Sequence, residues 1–281
     1  MKKIITALTL LCVAAANGIV IRHDVDDSKY RVDDNTLPQL ATFYIDGAHG
    51  ILIEPDWVLS AAHTTFCLRT GSLISIAGRL YTVDSVFVHK NYTPVKSHDI
   101  ALIKLRDSVE GIKPFSLNTT QNEEGQSMWF IGMGGTGNGK TGQTIDNAEN
   151  KGQLRIAQNV VDSADGPLLT FTFDSESKGL PLEGVSGGGD SGSPAYTVND
   201  HGGTVYGVSS RVEGGGIGRY GVKEIYSRVS YFSQWIAHII NGDNVDIISY
   251  NALQSLPAGL TEEILPAVCK EIGLNNASLV D

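Results

Sequence analysis

The chain has 281 residues, 41% hydrophobic and 19% charged, with 32 glycines against 9 prolines. That balance is ordinary for a globular protein, with glycine high as in turn-rich β proteins, and the length suits one large domain or two small ones. A formal charge of −10 argues against nucleic acid as a partner, because a polyanion is held by surplus lysine and arginine.

In chain order, residues 1–18 come first. Lys2 and Lys3 make a basic start, residues 4–16 an apolar run, and Ala14, Ala15, Ala16 and Gly18 a small-residue end. This is the layout of a secretory signal peptide. The run is shorter than the roughly 20 residues that span a bilayer. Cys12 sits within it after Leu10-Leu11, without the small residue a lipid-attached cysteine needs. Removal of residues 1–18 takes Lys2 and Lys3 and moves the charge to −12. A secreted or periplasmic protein is expected, with no later segment apolar enough for a membrane. Cys67 and Cys269 then remain, as one disulfide or as two buried thiols.

From Val20 to about Ser230 the sequence runs in short apolar, β-branched segments separated by turn residues. Strands are expected at Ala41–Ile45, Gly50–Ile53, Trp57–Ser60, Leu80–Val88, Ile100–Leu105, Met128–Ile131, Leu154–Val161, Leu168–Phe173, Thr204–Val208 and Ile225–Val229. So many short strands indicate an all-β sandwich or barrel rather than alternating α/β units. Tyr231 to Asn241 reads as a helix, with Trp235, Ile236, Ile239 and Ile240 at helical spacing and Asn241-Gly242 as its stop. Residues 243–281 form an appendix broken by Pro257, Pro266 and Gly273, with two short helices expected.

Three stretches carry chemistry. LSAAHTTF (Leu59–Phe66) ends a strand-like run at His63, HDIALIKL (His98–Leu105) puts Asp99 before an apolar strand, and GGGDSGSP (Gly187–Pro194) contains Ser191. Each alone has a plainer reading: a loop histidine, a strand cap, a glycine-rich turn. Together they are the parts of nucleophilic catalysis. A serine hydroxyl needs an imidazole to take its proton, and the imidazole needs a carboxylate to fix its tautomer. The glycines let the amides of Gly189 and Ser191 converge on a developing oxyanion.

With SAAH, DIAL and GDSG in the order His, Asp, Ser, the chain resembles the trypsin/chymotrypsin family of serine proteases over residues 19–242. Gly132-Met-Gly134, GVSS (Gly207–Ser210) and IYSRVSYFSQWI (Ile225–Ile236) match further family features. The resemblance implies two antiparallel six-stranded β-barrels, divided near residues 120–125, with His63 and Asp99 from the first and Ser191 from the second. It implies a secreted monomeric endopeptidase acting on proteins or peptides, with no cofactor and no metal. It also implies an S1 pocket floored by Val185 and Ser186. The family's usual pocket acid is missing at Val185, whereas Glu224 matches a second floor position and suits Lys or Arg at P1. Arg211 lies near the mouth and would favour an acidic P1; of the two, the basic preference is taken. Ile19-Val20 match the family's mature N-terminus, whose amino group pairs with the aspartate before the nucleophile, here Asp190. Departures are Thr64 and Gly187 at usual cysteine positions, Ile21-Arg22 for Gly-Gly, and GDSGSP, a variant that suggests a bacterial-type member.

Gly134 to Thr141 also matches the phosphate-loop pattern G-x-x-x-x-G-K-[ST], and LLTFTFD (Leu168–Asp174) mimics a magnesium-binding strand, which together define an NTPase alternative. A phosphate loop must open a helix at the Gly-Lys-Thr. The following GQTIDNAENKGQ lacks helical periodicity, so a mobile surface loop beside the active site is expected instead. The other alternative is a catalytically silent homologue that keeps the fold for binding, which the presence of all three catalytic residue types argues against. HDVDD (His23–Asp27) reads as a solvated acidic turn.

Overall fold

The computed structural model describes residues 18–150, 152–242, 256 and 260–274. After β1 (Ile19–Ile21), the first barrel is built from β2 (Leu40–Tyr44), β3 (Gly47–Glu54), β4 (Trp57–Ser60), β5 (Leu73–Ile76), β6 (Arg79–Val88) and β7 (Ala101–Leu105). They close in the order β2-β3-β4-β7-β6-β5, every neighbour antiparallel. Phe43, Leu52, Val58, Ile74, Val83 and Ile103 fill it. The four-residue β5 lacks a sequence signal because its LISI is too short to show a period between Gly71 and Gly78.

β8 (Ser116–Leu117) leads into the second barrel: β9 (Ser127–Gly132), β12 (Arg155–Asp165), β13 (Leu168–Thr172), β15 (Pro194–Asn199), β16 (Gly202–Glu213) and β17 (Lys223–Arg228). Its ring runs β9-β12-β13-β17-β16-β15 and closes where Tyr196 meets Trp129. Phe130, Phe171 and Tyr226 pack at its centre, the first and last stacked at 4.9 Å. The two six-stranded barrels are therefore as the resemblance implied. The helix starts at Val229, directly out of β17, and runs to Ile240 as α2, burying Val229, Phe232, Ile236 and Ile239 between the barrels. Gly242, at φ +73°, ends it.

A small sheet flanks the second barrel, in the order β11-β10-β1-β14, with β10 (Thr136–Asn138), β11 (Gly142–Ile145) and β14 (Gly184–Val185). A one-turn α1 (Asn147–Asn150) follows β11. α3 (Leu265–Ile272) lies against the first barrel, where Cys269 is bonded to Cys67 with 5.3 Å between Cα atoms. Ile45 N–H donates to Ile272 O at 2.9 Å beside that bridge. The alternative of two thiols is set aside. The signal-peptide stretch lies outside the described residues except for Gly18, as does the second short helix expected in the appendix. Among the described residues no helix is long and apolar enough to cross a membrane.

Candidate active site

β4 and β7 are paired neighbours, with Ser60 opposite Ala101. The chain leaves β4 into a 3₁₀ turn (Ala62–Cys67) that carries His63, and Asp99 stands just before β7. Neighbouring strand ends thus bring the two together. His63 Nδ1 lies 2.7 Å from Asp99 Oδ2, and His63 N–H donates to Asp99 Oδ1 at 2.9 Å. His98, at φ +57°, turns the chain so that Asp99 faces inward.

Ser210 Oγ donates to Asp99 Oδ2 at 2.6 Å and Ser227 Oγ to Asp99 O at 2.7 Å. Both come from the second barrel, and the reading of the sequence assigned neither to Asp99. Ser210 sits at a bulge in the β16–β17 register, between Ser209 and Arg211, which re-aims its side chain. Asp99 is buried, and burial alone raises a carboxyl pKa. The charge and hydrogen bond of His63, with Ser210, outweigh it and hold Asp99 below the ordinary range. Burial likewise opposes a charged His63, but Asp99 leaves that pKa raised.

Ser191 sits in a loop whose amides can be accounted for one by one. Gly187 N–H donates to Asp190 Oδ2, Gly188 N–H to Gln143 Oε1, Asp190 N–H to Gly187 O, Gly192 N–H to Ser209 O and Ser193 N–H to Asp190 O. The amides of Gly189 and Ser191 make no hydrogen bond among the described residues. Their carbonyls do accept, from Ala48 N–H at 2.7 Å and His49 N–H at 2.8 Å. A side chain at Gly192 would start 2.2 Å from His49 O, so only glycine fits between nucleophile and first barrel.

Asp190 is wholly buried. It accepts from Gly134 N–H at 2.5 Å, Gly187 N–H at 2.8 Å and Ile19 N–H at 3.3 Å. Burial nevertheless pushes its pKa up to about 6. Ile19 is itself fully buried and held at φ +61°, a region that costs a β-branched residue about 1–2 kcal/mol.

Val185 and Ser186 are buried, and so is Glu224, at 1% exposure. Solvent exposure, the usual fate of a charged side chain, does not hold for Glu224. Its Oε1 has no partner among the described residues, and burial pushes its pKa up to about 8. Ser186 Oγ, which also bonds Glu224, lies 2.8 Å from Tyr226 Oη. Arg211 is half-buried and pairs with Glu213 at 2.7 Å.

The glycine-rich stretch differs from both readings of it. No helix begins at Lys140-Thr141; β10 and β11 form an antiparallel hairpin there, which removes the helix terminus a phosphate would need. Nor is it a surface loop, since Gly134, Gly135 and Thr136 are buried and β10 pairs with β1. The glycines serve close approach: a Cβ on Gly134 would start 2.7 Å from Asp190 N. In HDVDD, Asp24 pairs with Arg22, Asp26 caps a short turn and Asp27 binds the buried Arg155 at 2.6 Å. Among the described residues no three His, Cys, Asp or Glu gather as metal ligands would.

Two closed barrels with a His–Asp–Ser(210) network and a glycine-lined serine loop between them define a chymotrypsin-type architecture. The chain belongs to the trypsin family, matched over residues 28–236. It is 27% identical over 228 residues to "Brachyurin" of Leptuca pugilator, covering 72% of this chain and 92% of that protein. It is 30% identical over 185 residues to "Serine protease SSP1" of Scolopendra subspinipes, covering 57% and 61%. A solved structure, "neuropsin, a serine protease expressed in the limbic system of mouse brain", superposes with a TM-score of 0.59 at 20% identity, covering 75% of this chain and 98% of that one. These relatives are animal proteins, so the bacterial affiliation suggested by GDSGSP has no support.

Proposed function

We propose that the chain is a secreted serine endopeptidase that hydrolyses peptide bonds through an acyl-enzyme on Ser191. The observation that carries this reading is the pattern of hydrogen bonding around Ser191. His63 is oriented by a buried, doubly hydrogen-bonded carboxylate, and among the described residues the amides of Gly189 and Ser191 are left without an acceptor. In the proposed reaction Ser191 Oγ attacks the scissile carbonyl while His63 takes its proton. The carbonyl oxygen, now an oxyanion, accepts from the two amides. Collapse expels the amine, which leaves with the proton from His63, and water repeats the cycle on the acyl group. Asp99 stays ionised throughout and stabilises the imidazolium. Labelling of Ser191 by a fluorophosphonate and hydrolysis of casein test the reading. Undiminished hydrolysis by purified Ser191→Ala would overturn it.

Activation follows the same line. Cleavage after Gly18 would release Ile19 as the N-terminus, turn an amide at 3.3 Å from Asp190 Oδ2 into an ammonium, and free Ile19 from its positive φ. A buried carboxylate without a cation is costly, so the new pair has a strong driving force. The small residues Ala16 and Gly18 suit signal peptidase, which would make a separate propeptide unnecessary. N-terminal sequencing of active secreted protein should give Ile19; a start at Asn17 with full activity excludes the mechanism.

For the substrate, Glu224 supports a basic P1. Its buried, unpartnered Oε1 is what a Lys or Arg side chain would bind, and a cation there would draw the carboxyl into its charged form. The pairing of Arg211 with Glu213 weakens the acidic-P1 alternative. A positional-scanning peptide library decides between them.

A further inference from the structure

The glycine-rich hairpin that mimics a phosphate loop packs against the serine loop. Its second strand, β11, projects Gln143 against the serine loop. Gln143 Oε1 accepts from Gly188 N–H at 2.7 Å, and Gln143 Nε2 donates to Asp146 Oδ1 at 3.1 Å. The backbone of Gln143 is itself anchored, N–H to Ile217 O at 2.9 Å. On the next peptide, Gly135 N–H donates to Gly188 O at 2.6 Å.

These two contacts determine one orientation. In a planar trans peptide the C=O and N–H point in opposite directions. Fixing Gly188 O toward Gly135 therefore turns the Gly189 N–H the other way, toward the oxyanion position. The segment itself offers no such preference. Gly187, Gly188 and Gly189 are consecutive glycines, Gly189 is at φ +97°, and a peptide between glycines rotates with little steric resistance. No cysteine at 187 ties this loop to another segment. Orientation has to come from hydrogen bonds: Gly135 N–H holds Gly188 O, and among the described residues Gln143 is the side chain that holds the Gly188 N–H of the peptide before it.

We infer that Gln143 is a positioning residue for hydrolysis: by holding the Gly188 N–H it keeps the Gly189 N–H aimed at the oxyanion. The inference rests on the protease reading above. Gln143 touches no reacting atom; it holds the Gly187–Gly188 peptide, and so keeps Gly188 O on Gly135 N–H in the next peptide, the one that carries the Gly189 N–H. The contribution of Gln143 should therefore appear when the oxyanion forms and not when substrate binds.

The test compares Gln143→Met, which keeps the length and loses the acceptor, with Gln143→Glu in an Asp146→Asn background. The latter keeps an acceptor for Gly188 and gives its second oxygen a donor. Two probes are used: a peptide anilide, and a peptide aldehyde whose carbon adds Ser191 Oγ, whose proton passes to His63 as the aldehyde oxygen becomes the oxyanion. Gln143→Met should lower kcat by about tenfold to a hundredfold, a fraction of losing an oxyanion donor outright, with KM within about twofold. Aldehyde affinity should fall by a similar factor, and Gln143→Glu/Asp146→Asn should recover most of both. Wild-type kcat in Gln143→Met, a loss of kcat without loss of aldehyde affinity, or no recovery by the acceptor variant would overturn the inference. Hydrogen exchange over residues 186–191 separates this from the function itself. If wild type shows no Ser191-dependent hydrolysis, the protease reading fails. Gln143 is then judged by exchange alone: protection lost only in Gln143→Met upholds the clamp, and equal exchange in all three proteins refutes it.

Discussion

The two barrels bury very different things. Among the described residues the first buries mainly apolar side chains, with Asp99 at the cleft and His49 behind it as its buried acid and base. The second half of the chain buries Glu123 with Arg228, and also Arg155, Glu183, Asp190 and Glu224. His49 is wholly buried and its pKa is pushed down to about 4 by that burial. Burial pushes Glu183 up to about 7, Asp190 to about 6 and Glu224 to about 8. The consequences for stability have opposite signs. Unfolded His49 takes up a proton below its ordinary pKa while the folded side chain refuses it, so the first barrel loses stability as pH falls from about 6.5 toward 4. The buried acids keep protons that the unfolded chain has lost, so the second barrel loses stability as pH rises from about 4 toward 8. One barrel is a platform that holds His63, and the other buries Glu183, Asp190 and Glu224 with no salt bridge to them among the described residues.

The hardest test of that division is catalytic. His63→Ala in the first barrel and Ser191→Ala in the second should each lower kcat by at least about a thousandfold, with unchanged circular dichroism, and the double variant should lose little more. Additive losses would mean that the two barrels do not act as one unit.

Asp190→Asn comes next. It removes the carboxylate that gathers Gly134, Gly187 and Ile19 N–H groups, so kcat/KM should drop about a hundredfold, comparable to losing an oxyanion donor. The first barrel should not register the change, which the His63 ring protons in an NMR titration would report. A displaced His63 pKa would show the barrels coupled through the serine loop.

Replacing Cys67 and Cys269 by alanine probes the first barrel alone. Opening a bridge across 202 residues should cost up to about 5 kcal/mol in the chain-entropy account, read as a lower urea midpoint. Activity per folded molecule should stay nearly constant. A large loss of kcat would show that α3 supports the His63 turn as well as the fold.

The smallest effect is expected for Glu224→Gln. The preference for Lys or Arg over an apolar P1 should fall about tenfold. In wild type that preference should strengthen as pH rises through about 8, where the free carboxyl ionises, and in the variant it should be flat. The Tm of the variant should also fall less than wild type between pH 5 and 8, by calorimetry. Equal pH slopes in both proteins would remove Glu224 from the account of the second barrel.

Sequence alone determined what short-range chemistry writes down. Trp57–Ser60 and the apolar run into Leu105 are strands wherever they are placed, and α2 has its period and its stop in consecutive residues. The pairing of His63 with Asp99 was legible because each sits in a short motif at the end of neighbouring strands. Ser210 was not, since its pairing with Asp99 needs a bulge in one barrel to meet a loop of the other, 111 residues away. The residues 134–143 were misread for the same reason. Glycines that accept a phosphate and glycines that let two backbones touch are alike in one dimension, and only the packing of β10 against β1 and Asp190 separates them. Burial decided the rest. Glu224 is a surface charge by composition and a neutral buried acid by position, because desolvation is a property of the surrounding fold and is not carried by the residue.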